Sequence, residues 1–484
     1  MADESINNGF YEKKYKIVIG LEIHVELLTE SKMFCSCSTK FGEKENSQIC
    51  PVCFGMPGTL PVLNYEAIEL GIKTALTLNC RIPSECIFVR KSYFYPDLPK
   101  NFQISQYSQP LASDGYLNVN NKKIGIRRVH LEEDTGKLIH SEKNENVSLI
   151  DFNRSGIPLM EIVTEPEISS PEEAEDFLLK LKKFLKYIEV SDCNMEEGSL
   201  RCDANISIKP HDSKELGIKT EIKNMNSFKS VRKALSFEAN RHMHLLNENN
   251  KVRQETRLWD ETSQTTDSMR IKEEAHDYRY FPEPDIPPVR ISRDTVEKIS
   301  LKIGELPSER EKRFFEQYNL SGYNVSVITS EKKLADYFEE TASFYKEPKI
   351  VSNWLQTVLL GILKEKNISI NTCPISPKNF AELIELVDLK KITATSGKEV
   401  LLEMFETGKT ASEIVKDRQL VQIQDKDRIE ELVIEVINEN SSAVKDYKNG
   451  KEQAVSFLVG MVMKKSRGKA DPVKTKEILL KKLL

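Results

Sequence analysis

The sequence predicts an α+β protein, a mixed, strand-rich N-terminal part followed by an all-helical one. Three observations lead there. Up to about residue 293, several stretches alternate apolar and polar residues with a period of two. The segment 281–289 then carries Pro282, Pro284, Pro287 and Pro288, a density that neither a helix nor a central strand tolerates. Beyond it, apolar residues recur at helical spacing, punctuated by Gly408, Gly450 and Gly468.

The strands are expected at about 16–27, 115–119, 123–131, 159–164 and 200–208, mixed with some helices. Ser376-Pro377 opens a helix whose Phe380, Leu383, Ile384 and Val387 fall on one face. Stretches 398–405, 411–415, 428–438, 452–465 and 473–484 read the same way, so a small bundle is expected after about residue 405. The expected division is therefore 1–293, 294–405 and 406–484, in keeping with a chain of 484 residues.

Composition narrows the class. Hydrophobic residues at 39% and charged residues at 30% describe a water-exposed folded chain. No apolar run reaches the roughly 20 residues that span a bilayer. The first fourteen residues lack an apolar core and include Asp3, Glu4 and Glu12, unlike a secretory signal or an Arg-rich transit peptide. A cytoplasmic location is the expectation, and there the nine cysteines would stay reduced. The net charge of −5 gives no sign of nucleic acid. Its distribution does: from Ala443 onward there are eleven Lys/Arg against four Asp/Glu. Such an end suits either phosphate contacts or a solvated helical surface.

In the first strand, Ile17, Ile19, Leu21, Ile23, Val25 and Leu27 share one face, and Glu22, His24 and Glu26 the other. Side chains two apart on a strand sit roughly 6–7 Å from each other. A carboxylate beside an imidazole suits divalent-metal binding or acid–base work, the alternative being an ordinary wet face. The strand 200–208 repeats the pattern, with Arg201, Asp203, Asn205 and Ser207 on its polar side. Glu221 and Lys223 follow, and the run from His130 to Asp134 adds Glu132, Glu133 and Asp134.

Cys35-x-Cys37, twelve residues, then Cys50-Pro-Val-Cys53 supplies two short-spaced pairs, enough for a closed, structural four-thiolate zinc site. The remaining cysteines read as core thiols. Arg90-Lys91 and the aromatic stretch after it have the residue types to stack a base and hold a phosphate, although loop packing uses them too. Neither a G-x-x-x-x-G-K-[ST] loop nor a G-x-G-x-x-G motif is present, nor the Gly/Ser-rich stretch of an amidase.

Several of these segments together resemble the B-subunit family of the aspartyl/glutamyl-tRNA amidotransferases. They are Gly20-Leu-Glu-Ile-His-Val-Glu-Leu27, Tyr93 to Lys100, Leu131-Glu-Glu-Asp-Thr-Gly-Lys137, Met195 to Ile206, Asp277 to Asp285, Asp446 to Lys451 and Phe457 to Gly460. The likeness runs in order from about residue 15 to the end; Ser92 departs from the larger polar residue expected there. It implies a cradle domain with the active site, a helical domain, and a helical tail that reaches tRNA. It also implies a heterotrimer, with an amidase-type A subunit releasing ammonia and a small C subunit. The implied substrates are ATP and misacylated Glu-tRNA(Gln), Asp-tRNA(Asn) or both. Carried onto this chain, Glu22, His24, Glu133 and Glu221 are the expected magnesium ligands. Asp203 is a further catalytic candidate. Lys91 and Arg201 would meet the phosphate or the substrate carboxylate, and Asn205 would contact the nucleotide. The archaeal E subunit is the nearest rival, but its inserted domain has no room in 484 residues. A zinc-stabilised tRNA-binding scaffold without catalysis is the rival of another class.

Overall fold

The computed structural model describes residues 14–140, 147–271, 278–420, 426–448, 451, 453–466 and 470–483. The N-terminal acids, Asp277, Gly450 and Gly468 lie outside these residues. The chain forms two compact units, Met1–Leu306 and Pro307–Leu484.

The first unit is built on strands β1 (Tyr15–Glu26), β2 (Glu85–Cys86), β3 (Val89–Ser92), β4 (Phe102–Ser105), β5 (Ala112–Val119), β6 (Lys122–Glu133), β7 (Lys137–His140), β8 (Ser148–Asp151), β9 (Pro158–Thr164), β10 (Leu200–Pro210), β11 (Thr220–Lys223), β12 (Glu255–Asp260), β13 (Thr265–Ile271), β14 (Phe281–Pro282) and β15 (Val289–Arg290). Eight of them make one sheet in the order β13-β12-β11-β10-β1-β9-β6-β5. Its neighbours are antiparallel except β11 and β12, which run parallel. The five expected strands are all present, each within a few residues of its expected ends. The proline-rich stretch contributes only the two-residue strands β14 and β15, as the missing N–H groups demand.

One face of the sheet is apolar. Ile19, Leu21, Ile23 and Val25 of β1 are buried there in one core with Cys202, Ala204 and Ile206 of β10 and Val129 and Leu131 of β6. Amphipathic helices Tyr65–Thr77, Pro171–Tyr187 and Phe228–Asn247 close over it, the last two started by the caps Ser170 and Ser227. Each buried Leu or Ile is worth about 1.5–3 kcal/mol against exposure, so the apolar set fixes which face looks inward. The helix Arg293–Ile303 also belongs here, since Ile299 and Ile303 enter the same core.

Among the described residues, the second unit is helical and holds two cores. One spans Phe314 to Val415 and includes the expected helix Pro377–Asp388, capped by Ser376, with Phe380, Leu383 and Ile384 buried. The helix Ala411–Asp417 packs into this core through Ala411, Ile414 and Val415. The other core, Ile429 to Leu483, joins the helices Lys426–Glu439, Gln453–Lys465 and Pro472–Leu483.

Helix Phe228–Asn247 is tied to β12 and β13 by a buried polar network. Glu238 is fully buried and accepts hydrogen bonds from Arg241 Nε at 2.9 Å and from Thr266; Arg257 Nε lies 3.2 Å away. Burial pushes its carboxyl up, but the bonds from His242, Arg241 and Thr266 win and hold it down at about 2. A carboxylate held below its ordinary value near 4.5 stabilises the fold above that pH, and the benefit fades as pH falls toward 2. The full difference is about 3 kcal/mol at neutral pH. We expect Glu238→Gln to cost about 2–3 kcal/mol at pH 7 and to flatten the acid limb of stability between pH 4.5 and 2. Urea titration of a Trp354→Phe background, where Trp259 alone reports on the first unit, checks this.

Candidate active site

The polar face of the sheet is organised in rows set by strand register. His130 of β6 faces Glu161 of β9, Glu161 faces His24 of β1, and His24 faces Arg201 of β10. The next row carries Arg128, Val163, Glu22 and Asp203. Asn205 and Glu221 are paired one step further along. Cross-strand partners point to the same side, so these polar groups share one face.

His24, Glu132 and Glu161 converge until their donor atoms all lie within 4.8 Å of one another. His24 Nε2 is 3.5 Å from Glu161 Oε2 and 3.8 Å from Glu132 Oε1. His130 Nε2 lies 3.1 Å from Glu161 Oε2, and Ser105 Oγ donates to Glu132 at 3.0 Å. Burial pulls both imidazoles down. The bonds and charges of Glu161 and Glu132 outweigh it, so His24 is raised and His130 is raised to about 9. Burial opposes ionisation of Glu161 too, yet the His130 charge holds it well below the usual carboxylate range. Two carboxylates and an imidazole whose donor atoms gather within 4.8 Å suit a divalent cation, which would displace the proton that Glu161 and Glu132 favour on His24.

The other residues singled out from the sequence fall around this cluster. Glu22 accepts from Asn205 Nδ2 at 2.9 Å. Asp203 pairs with Lys223, which also lies 3.2 Å from Glu221. Glu221 accepts from Thr256 Oγ1 at 2.8 Å. Glu133 points off the polar face, is held by Lys100, and accepts the Ile104 amide at 3.0 Å. Of the four expected magnesium ligands, only His24 lies in the converging cluster. Arg201 is bound to Asp134, which Arg154 approaches to 3.6 Å. The Lys91 ammonium rests 5.1 Å from the Tyr278 ring and 5.8 Å from that of Tyr93.

The four expected zinc thiols do come together. Cys35, Cys37, Cys50 and Cys53 have Sγ atoms within 4.8 Å of one another. Cys53 Sγ is 4.0 Å from that of Cys37 and 3.9 Å from that of Cys50. Four sulfurs at about 2.3 Å from a tetrahedral zinc stand about 3.8 Å apart, so the spacing fits the ion. Cys50, Val52 and Cys53 lie on tight turns closed by Phe54 N–H to Cys50 O and Gly55 N–H to Val52 O. Gly55 has φ +73°, and a Cβ there would meet Lys100 at 2.9 Å, so glycine is required. A bond from Cys35 and the charge of buried Lys32 help hold the Cys53 thiol down at about 4. Lys32 Nζ is 3.7 Å from that sulfur.

Residues 17–297 match the family model described as the GatB/GatE catalytic domain, and 336–483 match the GatB domain. The chain belongs to the GatB/GatE family. The B subunit of the Aspartyl/glutamyl-tRNA(Asn/Gln) amidotransferase of Carboxydothermus hydrogenoformans is 53% identical over 478 residues, covering 97% of this chain and 99% of its own length. The protein of the same name from Thermodesulfovibrio yellowstonii is 51% identical over 472 residues, and that from Moorella thermoacetica 49% over 475, each covering 97% of this chain. The GatB/GatE catalytic match takes in β1 from Ile17, the other strands of the sheet and the four-cysteine loop, so the converging cluster lies inside the family's catalytic domain. Among the described residues, no helix is long and apolar enough to cross a membrane.

The purified chain is expected to hold about one zinc per molecule, and Cys50→Ser to lose it. Elemental analysis after extensive dialysis checks this; metal-free wild-type protein with full native stability would contradict it.

Proposed function

We propose that this chain is the carboxylate-activating component of a glutamine-dependent tRNA amidotransferase, a carbon–nitrogen ligase. Its substrates are tRNA(Gln) misacylated with Glu, tRNA(Asn) misacylated with Asp, or both. The observation that supports it most is the convergence of His24, Glu132 and Glu161 on the polar sheet face of a GatB/GatE catalytic domain. By the family resemblance, an amidase-type A subunit supplies ammonia through a channel, a small C subunit completes the heterotrimer, and the work is cytoplasmic.

The chemistry follows from the weakness of a carboxylate as an electrophile. The γ-phosphoryl group of ATP passes to a side-chain carboxylate oxygen, and its bond to ADP breaks. Ammonia then attacks the carbonyl carbon of the acyl phosphate, the carbon–oxygen bond breaks, and phosphate leaves with the amide formed. Such transfers depend on positioning and on positive charge around the moving group. His24, Glu132 and Glu161 would hold magnesium, whose charge stabilises the phosphates of ATP. His130 keeps Glu161 ionised, and Ser105 fixes Glu132. Glu22, steadied by Asn205, extends the acidic floor two residues from His24. Lys91 offers an ammonium to an incoming phosphate, whereas Arg201 is bound to Asp134 and closes the end of the row. Asp203 and Glu221 flank Lys223 beyond Glu22, and Glu133 with Lys100 forms the rim beside the zinc loop. The zinc site supports the fold.

The basic end, 406–484 in the sequence-based division, is proposed to bind tRNA phosphates. A chain ending at Leu420 keeps the whole first helical core and removes the second. It should bind tRNA more weakly, with a salt dependence shallower by about 0.7–0.9 log units per lost phosphate contact. Filter binding across a salt series reads both; an unchanged slope would make the basic run a solvated surface.

Glu161→Gln and His24→Ala in the assembled trimer should bind tRNA normally, because phosphates elsewhere dominate that affinity. Both should lose ATP cleavage that depends on misacylated tRNA by at least roughly a hundredfold, about 2.7 kcal/mol in the barrier. Concentrated ammonium should not rescue them, since the electrophile is never made. Rescue by ammonium would place activation elsewhere.

A further inference from the structure

On the polar face, the cations already have partners. Arg201 is bound to Asp134, Lys223 to Asp203, and Arg127 to Glu165. Arg90 and Lys100, near the rim, are held by Glu283 and Glu133. Arg128 differs. Its side chain makes no hydrogen bond or ion pair with any described residue, and its Nε is buried without a partner. A guanidinium donates five N–H bonds in a planar fork, and leaving a buried one empty is costly unless something fills it.

The position is defined by register. Arg128 stands beside Val163, whose other neighbour is Glu22, so Arg128 and Glu22 lie two strands apart, about 10 Å between Cα atoms. His130, two residues further on, is on the same face and touches Glu161 of the converging cluster. The β6 ladder slips between Ile126 and Arg128, an irregularity of the kind that re-aims a side chain. Tyr107 and Tyr280 stack at 4.3 Å, Tyr280 meets Tyr278 at 5.9 Å, and Tyr278 carries Lys91, an aromatic wall that lies within electrostatic reach of Arg128 through Tyr280. The charge of Arg128 is felt at Tyr280, whose phenol burial pushes up to about 12.

We propose that Arg128 is the anion-binding residue of this face, taking an oxyanion of the substrate in its guanidinium fork beside the Tyr107–Tyr280 pair. The inference rests on the activating role proposed above and names the group that orients its substrate. Two oxyanions fit the fork, a phosphate of ATP and the side-chain carboxylate of the misacylated residue. Arg201, expected from the sequence to play this part, binds Asp134 through a terminal nitrogen, so although its Nε is also buried without a partner its charge is already paired.

The test uses the trimer with Arg128→Gln and Arg128→Lys, folding being checked by Trp259 fluorescence and bound zinc. Calorimetric titration with ATP and with inorganic pyrophosphate reads the phosphate arm. The KM for Glu-tRNA(Gln) and Asp-tRNA(Asn) at saturating ATP reads the carboxylate arm. Losing a charge-assisted fork should weaken one arm roughly ten- to a hundredfold in Arg128→Gln. Arg128→Lys, which keeps the charge but not the fork, should lose less, and it carries the test if the glutamine variant fails to fold. Weaker ATP and pyrophosphate binding assigns the fork to phosphate. A raised KM with nucleotide binding intact assigns it to the carboxylate. Both arms within about twofold of wild type in a folded variant would overturn the proposal. Pyrophosphate binding is measured without turnover, so a trimer that binds it through Arg128 yet activates no carboxylate would sink the activating role alone.

Discussion

Strand β1 runs through the middle of the eight-stranded sheet, and its register against β9 and β10 fixes what is built on the polar face. With a side-chain period of two, a slip of one residue would turn His24 into the core and Ile23 out of it. Ile19, Leu21, Ile23 and Val25, each almost wholly buried, make that slip prohibitive. The apolar side thus secures the positions of His24 and Glu22, and β6 and β9 inherit the same alignment through His130 and Glu161. Precision at the site comes from ordinary core packing on the far side of one strand.

Charge on the polar face is arranged in compensated groups. Glu161 and Glu132 share His24 and His130, Asp134 takes Arg201, and Asp203 with Glu221 takes Lys223. Buried carboxylates gathered this closely repel unless opposite charge lies among them. The pairing leaves an acid–imidazole cluster in the centre and an aromatic wall with Arg128 and Lys91 to one side. The four-cysteine loop shares a cavity with Glu133 and Lys100, and its turns depend on Gly55.

Much of this is legible in the sequence. Alternation locates β1 and β10 and defines their polar faces, and the cysteine spacing points to the thiol cluster, because both signals are local. The partners of His24 are not, since they depend on long-range register. Glu132 shares the parity of His130 in its strand, a sign that alternation alone carries, whereas the family resemblance points to its neighbour Glu133. Glu161 has a fainter sign, a single acid inside the apolar run Pro158–Thr164. Arg201 looks free in sequence because Asp134 is 67 residues away. The proline-rich boundary near 293 precedes a helix that belongs to the first core, because Ile299 and Ile303 cannot be assigned a partner without the fold.

Misacylated tRNA whose side-chain carboxylate carries heavy oxygen tests directly whether the carboxylate itself is phosphorylated on this face, with the released phosphate examined by mass spectrometry after one turnover with ammonia. Transfer of one labelled oxygen from the carboxylate to phosphate, lost in His24→Ala, is the result expected. Amide formed with all the label absent from phosphate would mean that no acyl phosphate was made and that this face does not phosphorylate the carboxylate.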